Sequence, residues 1–228
     1  MLMDLFSTFD PNSKLLGLSA SLNWLSVSLG IIFSPLQYWV KPQRIFLLIY
    51  TCLIMVAKEF KVIMKGKLYS SYHLFISLFF MILMNNFLGM FPFIFTATSH
   101  LVFSLTFSMI LWMSFMIYGW TKFTNSMFVH LVPSGTPAPL MPFMVCIETI
   151  SNVIRSGTLA VRLSANMISG HLLLTLTGGQ GPNLPMILCF ILILSQIILL
   201  VLEFSVSFIQ AYVFSVLSAL YSGESTGN

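Results

Sequence analysis

Long apolar stretches decide most of what this chain can fold into: Leu74 to Met84, Leu101 to Trp120 and Met186 to Leu202 approach or reach the length of a membrane crossing. A helix rises about 1.5 Å per residue, so ~20 apolar residues span a hydrocarbon core. A soluble domain carries roughly 25% charged residues. Here only 7% of 228 residues are charged and 57% are hydrophobic, which leaves too little polar surface to face water. The solvent is lipid, and helices, which satisfy every backbone polar group internally, are the expected spanning elements.

The chain is read as one membrane domain, 1–228, with no repeat, inverted duplication or linker. After an N-terminal segment, 1–14, the expected elements are a span at 15–40, an interfacial helix at 45–67, spans at 72–95 and 101–122, and two long tilted helices at 139–177 and 185–221. The fold class is therefore all-α, with about five transmembrane helices and one amphipathic helix. The last two helices form a hairpin closed by Gly178-Gly179-Gln180-Gly181-Pro182-Asn183. At about 55 Å each, they exceed a ~30 Å core and must tilt, bend or extend beyond it.

Ile45 to Ala57 is too short to span and is flanked by cations. On a helical wheel Lys58, Lys61 and Lys65 share one side, and Phe60, Ile63 and Met64 the other. Of ten Lys and Arg, six (Lys41, Arg44, Lys58, Lys61, Lys65, Lys67) fall in this one region, and the net charge is +4. That clustering speaks for membrane topology rather than a nucleic-acid partner. With five spans the cluster and Lys122 share one side, opposite Asp4, Asp10 and Lys14, which gives a positive-inside orientation. The acidic N-terminus lacks the basic region of a signal peptide. Cys52, Cys146 and Cys189 lie in apolar stretches and read as small buried hydrophobes.

An ionisable side chain inside a span costs roughly 2.5 to 3.5 kcal/mol to insert, so each one is a functional hypothesis. Five stand out: Glu148, Arg155, Arg162, His171 and Glu203. With ~100° per residue, Asn152, Arg155, Arg162 and Asn166 fall within about 40° of Glu148, whereas His171 lies about 140° away. Arg162 is read as a buried cation on a polar stripe, with His171 in a different environment. Gln196, Glu203 and Gln210 recur every seven residues on one face of the last helix. A buried ion pair that merely fixes packing is the plainer reading. Glu148 and Arg162, however, are about 21 Å apart along a helix, and Arg155 is too far from either to pair directly. Asn85 and Asn86 read as interhelical hydrogen bonds, and His73, His100 and His130 as interfacial residues.

Gly157-Thr-Leu-Ala-Val-Arg162-Leu-Ser-Ala-Asn166-Met-Ile-Ser-Gly-His171-Leu-Leu closely resembles the signature of subunit a of F-type ATP synthases in its animal mitochondrial form. Pro142 to Ser151, Glu203, Ile209 to Phe214, Asn86 to Pro92 and His130 to Pro137 extend the likeness over nearly the whole chain. One departure is Ser156, where close relatives usually place proline. The resemblance implies a non-catalytic stator subunit packed against a ring of small carboxylate-bearing hairpins (subunit c) and against other stator subunits. It implies a mitochondrial inner membrane location, with the N-terminus toward the intermembrane space and the C-terminus toward the matrix. By position, Arg162 matches the arginine that faces the ring. His171 and Glu203 match the inlet half-channel, Glu148 the outlet, and Asn166 and Gln210 the polar residues beside them.

Arginine keeps its proton and so can gate but not relay, whereas carboxylates and imidazole can pass a proton on. Other readings are weaker. A secondary transporter calls for inverted repeats, a haem oxidase subunit for paired intramembrane histidines, and a structural bundle leaves the polar stripe unexplained. No cofactor or metal is expected, and no phosphate-binding glycine-rich motif is present, so nucleotide chemistry belongs elsewhere.

Overall fold

In the computed structural model the described residues are 9–15, 18–32, 41–64, 72–91, 94–132 and 137–225. They form α1 (Ser26–Ile32), α2 (Arg44–Ile63), α3 (Tyr72–Gly89), α4 (Leu101–Lys122), α5 (Thr124–Leu131), α6 (Met141–Gly179) and α7 (Met186–Ser225). Four of these, α3, α4, α6 and α7, are long and apolar enough to cross a membrane. The chain is an all-α membrane protein whose only strands among the described residues are two three-residue segments, Ser13–Leu15 and Leu18–Ala20.

That small hairpin corrects the expectation of a helical span starting at Leu15. Ser13 pairs with Ala20 in antiparallel register, a 3₁₀ turn follows at Leu22–Leu25, and α-helix begins only at Ser26. The apolar count from Leu15 onward overrode local turn chemistry: the Asp10 carboxylate accepts from the Asn12 N–H, and the Asn23 amide donates to the Asp10 carbonyl. Of the expected 15–40 span, 16–17 and 33–40 lie outside the described residues, as do 65–67 of the expected interfacial helix.

The centre of the molecule is the hairpin of α6 and α7. Each is an unbroken helix, of 39 and 40 residues, joined through a 3₁₀ turn at Gly181–Asn183. Close approaches run the length of the pair: Gly178 to Gln196 near the turn, Gly170 to Glu203 further on, and Arg155 to Glu224 toward the open end. The paired residue numbers sum to a nearly constant value, which is the signature of two antiparallel helices lying side by side.

α3 packs on α7, and α4 on α6. Leu78, Phe79 and Ile82 of α3 meet Leu159 and Leu163 of α6 and Ala211 and Phe214 of α7 in the main core. A second cluster docks α2 through Phe60 and Met64 onto Phe75 and Ala219. Phe60 is fully buried while Lys58 and Lys61 are exposed, the two-sided pattern of an amphipathic helix. The buried face of α7 carries Ala211 and four serines (Ser207, Ser215, Ser218, Ser222), whose hydroxyls donate to carbonyls three or four residues back. Lipid is as apolar as leucine, so close approach and dispersion, rather than expulsion of apolar surface from water, hold such helices together.

The outer surface is correspondingly apolar. Met186, Ile187, Phe190 and Ile191 are all exposed. Cys52 and Cys146 are exposed and Cys189 half-buried, all as free thiols, which corrects the expectation that they are buried. An apolar residue in a chain solvated by lipid points outward as readily as inward.

Candidate functional site

α6 carries its ionisable residues on more than one side. Its buried face is Ser156, Leu159, Ala160, Leu163, Ser164 and Met167, turned toward α3, α4 and α7. Arg162 falls off that face and is exposed between Val161 and Ala165, which are also exposed. The expectation of a buried cation is thereby corrected: Arg162 lies on the outer surface of the chain. A fixed cation there is costly against hydrocarbon, so an anionic partner would be strongly favoured beside it.

Toward the closed end of the hairpin, His171 stands against Glu203. The His171 Nε2 lies 3.7 Å from Glu203 Oε1, with side chains 19% and 5% exposed. That separation is longer than a hydrogen bond. Both carboxylate oxygens and Nε2 are buried without a hydrogen-bond partner among the described residues. Buried polar atoms are nearly always paired, so three together on one acid and one imidazole set this place apart from ordinary packing.

Glycine makes the pair possible. A Cβ built on Gly170 would sit 2.7 Å from Glu203 Oε1 and 2.8 Å from its Cδ, so the carboxyl rests directly on the α6 backbone. Asn86 of α3, fully buried, donates through Nδ2 to the Ser207 carbonyl one turn along α7, and its Oδ1 is another buried atom without a partner among the described residues. Asn85 donates to Met81 within its own helix, so among the described residues only Asn86 of the two adjacent asparagines bridges helices.

Toward the open end, α6 and α7 present a second polar group. The Arg155 Nη1 lies 3.9 Å from Glu224 Oε1, and its guanidinium sits 5.7 Å from the centre of the Tyr221 ring. With side chains 42% and 64% exposed, this is no buried clamp. A cavity of about 570 Å³ opens here, bounded by Glu148, Asn152, Arg155, Tyr221 and Glu224 on its polar wall and by Trp112, Phe115 and Trp120 of α4 on its apolar one. A second cavity of about 300 Å³ reaches Arg162. Arg155, Tyr221 and Glu224 line both and form the partition between them.

Arg162 therefore lies between two polar sites, about 10 Å along α6 from Arg155 and about 14 Å from His171. Asn166 and Gln210, both half-buried, stand opposite each other in the hairpin register, between Arg162 and the His171–Glu203 pair. Sequence reading did not single out Tyr221 and Glu224, nor connect Gly170 with the carboxylate resting on it. The signal for Glu224 lay in the register: once His171 is set beside Glu203, Arg155 falls opposite the end of α7. Of the histidines expected at the interface, His73 is exposed with its ring tilted against Tyr72, and the side chain of His130 lies outside the described residues. His100 packs between Trp24 and Phe95 with Nε2 buried.

Fold and side chains together define an all-α membrane protein that carries its acid, base and fixed cation along one pair of long antiparallel helices. The family model described as ATP synthase A chain matches residues 20–223. Curated relatives named ATP synthase subunit a are similar over nearly the full length of both chains: 55% identical in Drosophila melanogaster, 57% in Anopheles gambiae and 53% in Locusta migratoria, each covering 98% or more of this chain and 99% of the relative. The chain belongs to the ATP synthase A chain family and is a membrane subunit of that multi-subunit complex.

Proposed function

We propose that this chain is the proton-conducting stator subunit of the membrane sector of an F-type ATP synthase, in the mitochondrial inner membrane. It offers two half-channels to a carboxylate on a rotating ring of subunit c, and Arg162 separates them. The observation that carries this reading is the placement of Arg162, exposed on the chain's surface and flanked along the hairpin by two ionisable sites that do not touch each other.

His171 and Glu203, with Asn166 and Gln210 beside them, form the inlet. A proton arriving there passes to the ring carboxylate, neutralises it and lets it move into lipid. After a turn of the ring the carboxylate returns to Arg162 from the other side. The fixed guanidinium favours the ionised form, and the proton leaves through the cavity that holds Glu148. The partition of Arg155, Tyr221 and Glu224 lies across that route. Each charge crossing 100 mV contributes ~2.3 kcal/mol, so several must pass for each ATP, and a ring adds them mechanically. The chain itself carries no nucleotide chemistry. The cationic face of α2 sets the matrix side, with the N-terminus toward the intermembrane space.

The test is Arg162→Ala in the assembled complex. It is expected to leave assembly intact and abolish coupled synthesis, and Arg162→Lys does not restore it. Wild-type synthesis in either variant removes the gate from Arg162.

A further inference from the structure

The described chain from Phe9 onward folds back toward the inlet site and is held by contacts that do not depend on one another. Asp10 starts a turn by accepting from Asn12, the hairpin of Ser13–Leu15 and Leu18–Ala20 reverses the chain, and the Asn23 amide then closes the loop on the Asp10 carbonyl at 3.1 Å. Trp24 anchors the far side of the loop against Phe95 and His100, with ring centres 5.7 and 5.4 Å away. α1 continues from it onto α3, where a Cβ on Gly30 would meet Met84 at 3.4 Å. This frame delivers Phe9 to His171: the two rings meet edge to face, centres 6.2 Å apart and planes at 80°.

An imidazole rotates about χ2 over a broad, roughly two-fold profile, so burial alone does not decide which nitrogen faces an acid. His171 has Glu203 on one side, 3.7 Å from Nε2, and makes no hydrogen bond through that nitrogen among the described residues. Its other ring nitrogen is hydrogen-bonded to the Gly89 backbone, and the Phe9 ring meets the imidazole edge to face. We infer that Phe9 is a positioning residue for proton transfer, acting with the Gly89 hydrogen bond to hold the His171 imidazole with Nε2 toward Glu203. The inference rests on the proton-path reading of His171 and Glu203.

An edge-to-face contact depends on the partner being a ring, whereas a wall that only fills space does not, and this difference supplies the test. Phe9→Ala, Phe9→Leu and Phe9→Tyr are compared in the whole complex in membrane vesicles, as proton-driven ATP synthesis per assembled complex. An aromatic pair of this kind has an energy that converts to about a two- to twelvefold rate change. Phe9→Tyr is expected to keep the wild-type rate, and Phe9→Ala and Phe9→Leu to slow by that factor. Leucine restores most of the volume, so slow turnover in that variant identifies loss of ring orientation rather than loss of packing. Wild-type turnover in Phe9→Leu or Phe9→Ala overturns the inference, as does Phe9→Tyr slowed as far as Phe9→Ala. Glu203→Gln, measured alongside, separates the two claims. A wild-type rate there overturns the proton path itself; a slowed rate beside an unaffected Phe9 series overturns only the positioning role.

Discussion

Replacing Gly170 by alanine puts one methyl group where the Glu203 carboxyl now rests. The new Cβ would lie 2.7 Å from Oε1, 2.8 Å from Cδ and 3.1 Å from Cγ. Ordinary contacts between such atoms start near 3.5 Å, so the carboxyl must move by roughly 1 Å. Because it lies only 3.7 Å from His171 Nε2, that movement is large enough to break the geometry proposed for proton exchange. Overpacking of this kind costs about 1 to 3 kcal/mol, and the better helix propensity of alanine returns about 1. The remainder is too small to prevent folding of a chain packed along two full-length helices. A misplacement of about 1 Å at a reacting group can lower a rate by up to ~10²-fold. Gly170→Ala is therefore expected to assemble normally and to slow proton-driven ATP synthesis per complex by tenfold or more. The control is Gly157→Ala on the same helix, where an added Cβ meets nothing within 4 Å and the rate should stay at wild type. Wild-type turnover in Gly170→Ala, with the assembled complex quantified in the same membranes, would refute the claim that a close carboxyl-to-backbone seat makes the inlet.

Two further outcomes follow from the hairpin's ends. Glu203→Gln keeps the shape but removes the ionisable group, and should lower the rate at a fixed driving force by tenfold or more; an unchanged rate takes Glu203 out of the path. Glu224→Gln removes the partner of Arg155 at the partition between the two cavities, and should slow proton release several-fold without affecting assembly, since the exposed pair contributes only about 0 to 1 kcal/mol to stability. Loss of the complex in Glu224→Gln would instead make the pair a structural one.

The fold class was legible because lipid as solvent imposes simple rules on length and apolarity. The apolar runs at Leu101 to Trp120 and Met186 to Leu202 could hardly be anything but spanning helices. The same counting failed at Leu15 to Leu25, where hydropathy is high but Asp10, Asn12 and Asn23 favour a hydrogen-bonded turn and a short hairpin. It failed again for the cysteines, because in a membrane apolar character does not tell inside from outside. Helical periodicity set His171 apart from Arg162, yet it could not say what His171 meets. That depends on the register of α6 against α7, a long-range relation, and only the resemblance linked His171 with Glu203. Arg155 looked unpartnered while its own helix alone was considered, since its acid lies at the end of α7. The burial of Arg162 was misjudged for the same reason: a wheel identifies a stripe but not the surface it faces.

The central claim, that Arg162 stands between two proton paths, is tested most directly by measuring proton flux and ATP synthesis together in Arg162→Ala complexes that retain their ring. The account predicts no coupled synthesis at any driving force, together with passive proton flow through the inlet and outlet that Glu203→Gln in the same chain reduces. Synthesis coupled to flux at the wild-type ratio would contradict it.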